Sequence, residues 1–150
     1  LDDGLLEELD FVIASVHMQL GMEREKMTKR IVRALSHPTV RVFGHPEGRK
    51  LLKRDASQFD WEAILDAAEK NSVAIEVNGS PQRLDANWVR IRRIRARGLK
   101  LCVNPDAHSM TALDNAARFG VVEARRGWAV KDDVINTLSA KEFESGFLRL

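Results

Sequence analysis

Residues 99–109 read Leu99-Lys-Leu-Cys-Val-Asn-Pro-Asp-Ala-His-Ser109, a short apolar run followed by an aspartate and a histidine. Two other apolar runs end in a similar way: residues 12–17 finish on His17, and residues 40–46 finish on Gly44-His45-Pro46. A short, β-branched apolar run bounded by turn residues predicts a buried strand. Since parallel strands bring their carboxyl ends to one edge, we expect the histidines and the aspartate to share a common rim.

Helical patterns separate these strands along the chain. We predict strands at residues 11–16, 40–43, 73–77 and 99–103, and helices at residues 22–36, 61–71 and 86–97. Asp60 and Asp85 are expected to cap the second and third of these helices, and Gly98 to end the third. Strands that alternate with helices of this length indicate parallel βαβ units, so the expected fold class is α/β.

The last third of the chain has weaker patterns. We predict a short helix at residues 111–117, a fifth strand at 121–124, and helices at 131–138 and 139–147. Ser139 and Glu142 match a capping box at the start of the last helix.

Composition excludes few functions. The 150 residues suffice for one domain with a real core, and a net charge of +2 neither demands nor excludes a nucleic acid partner. One cysteine, Cys102, allows no intrachain disulfide, which fits a reducing cytoplasm. No apolar stretch approaches the length of a membrane span, so no membrane association is expected.

The rim residues predict a metal site. Imidazole and carboxylate side chains that converge from separate strands suit a divalent metal ion, so His17, His45, Asp106 and His108 are the candidate ligands. Asp106 and His108 lie two residues apart after a strand and are also the candidate catalytic residues. Each residue has a structural alternative: a helix cap for Asp106, a surface loop for His108, a satisfied buried histidine for His17 and a turn for His45.

Three further residues are candidates for binding substrate. Glu76 and Asn78 alternate along the third strand and could line a pocket, although a structural charge pair and a turn explain them equally well. Arg49 follows His45 and is a candidate phosphate clamp. The arginine-rich helix at residues 90–97 is interpreted as a solvated face in preference to a surface that binds a phosphate backbone.

Taken in order, these segments resemble the PHP (polymerase and histidinol phosphatase) domain, and more narrowly the version attached to bacterial family X DNA polymerases. The likeness covers most of the chain. The stretches that carry it are residues 9–17, Gly44-His45-Pro46 with Gly48-Arg49, Glu76-Val-Asn78 with Pro81-x-Arg83-Leu-Asp85, Asn104-x-Asp106-Ala-His108-Ser109, and Ala124-Arg-Arg-Gly-Trp128.

The resemblance implies a distorted, TIM-like (βα)7 barrel that holds up to three divalent metal ions, usually manganese or zinc. His17 and His45 match two histidines that hold one ion together with a glutamate, Asp106 matches a carboxylate ligand of a second ion, and His108 matches a ligand of the third. The implied activity is 3′-5′ exonuclease trimming and 3′-end processing of single-stranded or gapped DNA in repair. The implied location is the bacterial cytoplasm, with a polymerase domain in the same polypeptide.

One part of the family pattern is missing. The H-x-H pair, an early histidine and a bridging glutamate normally lie upstream of the segment that begins here. We therefore expect residues 1–150 to be a single domain that forms the C-terminal half to two-thirds of a PHP barrel without its N-terminal strands, and to be inactive alone. Two alternatives remain open: a stand-alone phosphatase for small phosphomonoesters, and a non-catalytic structural module of the polymerase.

Overall fold

Four parallel strands form one sheet in the order β1-β2-β3-β4 in a computed structural model that describes residues 3–148. The strands are β1 (Val12–Ala14), β2 (Val40–Phe43), β3 (Ala74–Asn78) and β4 (Leu101–Asn104). Helix α1 (Asp3–Glu7) precedes the sheet, and the strands are connected by α2 (Arg24–Leu35), α3 (Trp61–Lys70) and α4 (Trp88–Ala96). The predicted α/β class is confirmed, and the sequential strand order is compatible with an arc of a (βα) barrel.

The strand register aligns the carboxyl end of β1 with that of β2 and the carboxyl end of β3 with that of β4, while β3 extends three residues past the end of β2. Asn78 at the end of β3 pairs with Asn104 at the end of β4. Phe43 at the end of β2 lies opposite Ala14 at the end of β1 and also opposite Ile75. The loops that follow all four strands therefore open at the same edge, where the sequence places the candidate ligands.

Apolar side chains cover both faces of the sheet. On one face, helix residues at three- and four-residue spacing, such as Met27, Ile31 and Leu35 of α2, are almost completely buried. Burial of each such side chain stabilises the fold by about 1.5–3 kcal/mol. On the other face, Cys102 and its neighbours pack against Phe147 near the end of the described chain. Glu76 shares this second face and lies nearer the carboxyl ends of the strands.

The predicted fifth strand at residues 121–124 is wrong, because this segment belongs to helix α5 (Val121–Arg126). Val121 and Val122 suggest a strand by their β-branching, but both are exposed, whereas the next two residues are buried. The edge of β4 is occupied instead by Asn136, whose side-chain amide accepts from Val103 N at 2.7 Å and donates to Val103 O at 3.1 Å. No strand position is left for residues 121–124 beside β4.

The other helices predicted for the last third are broken into short turns. Residues 111–117 contribute to a 3₁₀ turn (Met110–Ala112) and a π turn (Ala116–Gly120), and residues 131–138 form two 3₁₀ turns (Lys131–Asp133 and Ile135–Thr137). The capping box of Ser139 and Glu142 is confirmed at the start of α6 (Ala140–Glu142), which continues as a π turn (Phe143–Phe147). Within residues 3–148, no helix is both long and apolar enough to cross a membrane.

The helix-end predictions have mixed outcomes. Asp60 caps α3 by accepting from the backbone N–H groups of the first turn, and Gly98 follows α4 with a φ of 73°, as predicted. The prediction that Asp85 caps α4 is wrong, since Asn87 accepts from the N–H groups of Val89 and Arg90. Asp85 is fully buried and binds a different loop, described below.

The packing of α5 against α4 gives the first testable prediction. A Cβ atom at Gly127, which ends α5, would lie 2.5 Å from Cβ of the completely buried Ile91. We expect Gly127→Ala to reduce the free energy of unfolding by about 1–3 kcal/mol through overpacking, as measured by urea denaturation. Gly21→Ala is the matched control, because nothing lies within 4 Å of a Cβ atom there. Equal stabilities of the two variants would contradict this view of the α4–α5 contact.

Candidate metal and phosphate site

The turn after β2 places His45 at the edge of the sheet. Gly44 lies against the end of β1, where a Cβ atom would come within 2.5 Å of Ser15 Oγ, so glycine alone fits without displacing that side chain. His45 then adopts the left-handed region with a φ of 28°, a conformation that is uncommon for residues other than glycine. Its backbone N–H donates to Glu76 Oε2 at 2.5 Å, which holds the strained turn in place.

His17 and His45 face each other across this edge. Their Nε2 atoms are 3.2 Å apart, and the ring planes meet at 78°. A zinc ion that binds two imidazole nitrogens tetrahedrally at 2.0–2.1 Å separates those nitrogens by about 3.3 Å, so the observed spacing suits a shared ion. The second ring nitrogen of His45, Nδ1, is buried without a hydrogen-bond partner in the described structure. Within the described residues, Nε2 of His45 therefore contacts only the His17 imidazole, and Nδ1 has no partner.

The surroundings of His45 favour the neutral imidazole. The side chain is almost completely buried, and burial lowers the pKa of His45; the positive charge of Arg83 lowers that pKa further. A neutral imidazole is the form that binds a metal ion. His17 and His45 therefore have the spacing, and His45 the protonation state, that a metal ligand pair requires.

Glu76 connects the ends of three strands. Besides the N–H of His45, its carboxylate accepts from Asn78 Nδ2 at 3.3 Å and from Asn104 Nδ2 at 2.9 Å. Asn78 is completely buried, and its Oδ1 accepts from Ser80 N at 3.0 Å. The structure thus gives both Glu76 and Asn78 a supporting task, while their contact with a substrate stays a prediction.

Asp106 and His108 lie farther along the rim, in the loop after β4. The Asp106 carboxylate forms an ion pair with Arg83 Nε at 3.1 Å and caps no helix. His108 is largely exposed, and its Nδ1 lies 2.8 Å from the backbone oxygen of Asp106. Within residues 3–148, no group of three or more His, Cys, Asp or Glu side chains is arranged to hold a metal ion. The structure thus brings His17 and His45 together and leaves Asp106 and His108 in a neighbouring part of the edge.

Arg83, which sequence reasoning did not select, is the arginine at this site. The predicted phosphate clamp, Arg49, directs its guanidinium to the backbone oxygens of Arg83 and Leu84, and its Nε lies 3.5 Å from Glu47. Arg83 instead contacts Asp106 and is close enough to His45 to influence its titration. The available signal was the stretch Pro81-x-Arg83-Leu84-Asp85, which carries the family resemblance but had no assigned role.

A second buried carboxylate fixes the loop that carries His45. Asp85 Oδ1 accepts from Glu47 N at 2.9 Å, and Asp85 Oδ2 accepts from Gly48 N at 3.0 Å. The Glu47 side chain is also buried and accepts from Asn87 Nδ2 at 3.1 Å. The loops after β2 and β3 therefore bind each other through carboxylates that solvent does not reach.

The arginine-rich helix makes its contacts within the protein. Arg93 of α4 pairs with Glu62 of α3, and Arg97 pairs with Asp66 at 2.5 Å. These side chains are partly exposed, and carboxylates of the neighbouring helix offset their charge. The pairing agrees with a solvated helix face.

The sheet is parallel, and paired imidazoles, an aspartate and an arginine lie at the carboxyl ends of its strands. This arrangement is that of the α/β proteins whose ligand sites lie where parallel strands end. The ligand types are those that bind zinc or manganese.

Comparison with known proteins identifies relatives of the chain within this class. The chain is 34% identical over 144 residues to the DNA polymerase/3′-5′ exonuclease PolX of Bacillus subtilis (strain 168), a match that covers 96% of the chain and 25% of that protein. It is 32% identical over 117 residues to a probable phosphatase of Thermoanaerobacter sp. (strain X514), covering 72% of the chain and 45% of the phosphatase. A probable phosphatase of Caldanaerobacter subterraneus subsp. tengcongensis is 29% identical over 123 residues, with 72% and 44% covered. No family model matches the chain.

These matches confirm the resemblance that the motifs predict, to the PHP domain of bacterial family X DNA polymerases and to related phosphatases. The chain spans about a quarter of the polymerase and just under half of the phosphatases.

The buried Asp85 gives a prediction about pH. Burial raises the pKa of Asp85 from 3.8 to about 7, so the folded protein holds a proton there over a range in which the unfolded chain does not. The contribution of Asp85 to stability is complete below about pH 4 and is lost as the pH rises towards 7. Between about pH 5 and pH 8, we expect the free energy of unfolding to fall more steeply in the parent protein than in Asp85→Asn. Urea denaturation across this range is the measurement, and parallel profiles would disprove the assignment.

Proposed function

We propose that this chain is part of a metal-dependent phosphoesterase of the PHP type that removes nucleotides from the 3′ ends of DNA. The observation that carries the proposal is the 3.2 Å separation of the two Nε2 atoms of His17 and His45 at the carboxyl ends of parallel strands. The similarity to a polymerase named as a 3′-5′ exonuclease supports the choice of DNA as substrate. The setting proposed for this activity is DNA repair in the bacterial cytoplasm, on single-stranded or gapped DNA.

Manganese or zinc fits the donor set of the site. His17 and His45 would hold one ion, and Asp106 and His108 would contribute to further ions, up to three in the intact domain. Such an ion supplies, when bound, an activated hydroxide at neutral pH and positive charge to stabilise the phosphoryl oxygens. The two imidazoles occupy at most two positions around an ion, so the remaining ligands would come from water, substrate or residues beyond those described.

The protein groups hold the site ready for this chemistry. Burial keeps His45 in the neutral form that can donate a lone pair, and Glu76 fixes the backbone of His45 through its N–H group. Arg83 orients the Asp106 carboxylate through their 3.1 Å ion pair. Because these supports are in place before any ligand binds, little reorganisation is needed on binding.

The proposed function implies a DNA substrate and further parts of the same polypeptide. Single-stranded or gapped DNA would be bound through the full-length protein. A polymerase domain and the N-terminal strands of the barrel would be supplied by the same polypeptide.

A phosphatase for small phosphomonoesters is the second candidate. The match to the probable phosphatase of Thermoanaerobacter covers 45% of that protein, whereas the match to the polymerase covers only 25% of the polymerase. The phosphatase match is nevertheless shorter along the chain, at 72% against 96%. Both candidates use the same ligands and differ in whether the leaving group is a DNA strand.

The proposal predicts the effect of removing single ligands in the full-length protein. We expect His45→Ala and Asp106→Ala each to reduce manganese-dependent release of 3′ nucleotides by about 100-fold or more, because direct ligands contribute at least as much as the groups that orient them. Release from an end-labelled single-stranded oligonucleotide, resolved on a gel, is the measurement. His37→Asn is the matched control, since this fourth histidine contacts Thr39 and lies outside the site.

Undiminished release by both ligand variants would refute the nuclease proposal. p-Nitrophenyl phosphate is the companion substrate, and it separates the two candidates. Turnover of that ester without release of 3′ nucleotides would establish the phosphatase instead.

A further inference from the structure

A cavity of about 440 Å³ opens between the loops that follow β2, β3 and β4, on the part of the rim that carries Asp106 and His108. Its lining is polar and combines cationic, hydroxyl and amide groups with one carboxylate. The residues that matter for its charge are Lys50, Arg83, Asp106 and His108, and the polar neutral residues include Ser80 and Ser109.

The cavity has an excess of positive charge. Asp106 is its only carboxylate within the described residues, and that carboxylate is already paired with Arg83. The Lys50 ammonium, by contrast, has no carboxylate partner anywhere in residues 3–148. The field of Arg83 also reaches His45, whose pKa it lowers. An anion that entered the cavity would therefore meet one unpaired cation and one that is only partly neutralised.

Arg83 keeps donors available despite its ion pair with Asp106. A guanidinium carries five N–H groups in a planar fork. Asp106 takes Nε, and Nη1 makes only a long 3.5 Å contact with the backbone oxygen of Arg49. The remaining N–H groups have the geometry that binds phosphoryl oxygens in pairs.

The backbone around these two cations is held rigidly. Leu51 N donates to Gln82 O at 2.8 Å, which ties the Lys50 loop to the Arg83 loop. Arg83 N donates to Ser80 O at 2.8 Å, and Arg49 Nε donates to Arg83 O at 2.8 Å. Arg49 therefore stabilises the backbone of the loop, and the side chain of Arg83 lines the cavity.

We propose that this cavity binds the phosphoryl group adjoining the bond to be cleaved, with Arg83 and Lys50 as its cationic contacts. The identity of the ligand rests on the proposed function, since two of the candidate metal ligands, Asp106 and His108, line the cavity. Arg83 and Lys50 would hold the substrate beside Asp106 and His108 without themselves taking part in bond cleavage. Arg83 and Lys50 are thus assigned the role first predicted for Arg49.

Equilibrium binding to the full-length protein in EDTA tests the site apart from metal and turnover. The probe is a fluorescein-labelled single-stranded oligonucleotide with a 3′-hydroxyl, followed by fluorescence anisotropy. We expect Arg83→Gln and Lys50→Gln each to weaken binding about tenfold, as for the loss of a charged hydrogen bond. For each variant, the slope of log affinity against log salt concentration should become shallower by about 0.7, the value for one phosphate contact on a single strand.

The chain offers matched controls for both charge changes. Lys53→Gln removes the same charge from the same loop, but Lys53 does not line this cavity, and Arg93→Gln removes an arginine that is paired on α4. Both controls should bind within about twofold of the parent. Arg83→Lys provides a second variant that keeps the charge, and we expect it to recover part of the affinity but not the paired geometry.

Modified oligonucleotides identify which phosphoryl group is bound. A neutral methylphosphonate at the last linkage should weaken binding by the parent and have little further effect on Arg83→Gln, if the site holds a phosphodiester. If Arg83→Gln weakens the binding only of oligonucleotides that carry a 3′-phosphate, the site holds a phosphomonoester, and the proposal also stands. Parent-like affinity and salt slope in both Arg83→Gln and Lys50→Gln, or equal losses in the control variants, would overturn it.

The outcomes for the cavity and for the reaction are separable. Loss of nuclease activity in His45→Ala together with parent-like oligonucleotide binding by both Arg83→Gln and Lys50→Gln would refute this site and leave the phosphoesterase proposal intact. Weakened binding by Arg83→Gln in a protein that releases no 3′ nucleotides would establish an anion site and reject the nuclease.

Discussion

The structure of the site depends on one carboxylate, that of Glu76. It accepts hydrogen bonds from the His45 backbone and from the amides of Asn78 and Asn104, so it joins the ends of β2, β3 and β4. A buried carboxylate is costly unless such donors surround it, and here the donors are the groups whose positions define the rim. The same interactions that offset this cost therefore set the place of His45.

A second layer of buried acids repeats this arrangement one loop farther out. Asp85 binds the backbone of residues 47 and 48, and Glu47 binds Asn87 at the start of α4. Among the described residues, these buried acids bind backbone, amide and guanidinium groups, while the imidazoles of His17 and His45 have each other as their side-chain hydrogen-bond partners. Because the buried acids make the hydrogen bonds that hold these loops, the histidines remain available to a ligand although the region around them is closely packed.

Local signals predicted much of the fold. Strand β2 occupies the predicted residues 40–43, Asp60 caps α3, and Gly98 ends α4. These predictions were correct because each depends on side-chain patterning or backbone chemistry within a few residues. The failures have a tertiary origin. The segment 121–124 is helical because Val134 and Asn136 already occupy the edge of β4, and no local pattern reports on that occupancy.

The sequence also predicted part of the candidate site. Its rim follows from the topology of parallel strands, which brings His17 and His45 together as expected. The choice between Arg49 and Arg83 was beyond sequence reasoning, because proximity along the chain favoured Arg49. Only the fold shows that Arg49 turns to backbone oxygens and that Arg83 reaches Asp106.

Asn136 has a consequence for the behaviour of the protein in concentrated solution. Its amide satisfies both the N–H and the C=O of Val103, so a side chain imitates the peptide group of an adjacent strand. An exposed edge is a template on which a foreign strand can assemble, and proteins guard against this by covering or interrupting such edges. Asn136 thereby occupies the backbone groups of Val103 that a foreign strand would need for intermolecular β-pairing at this position.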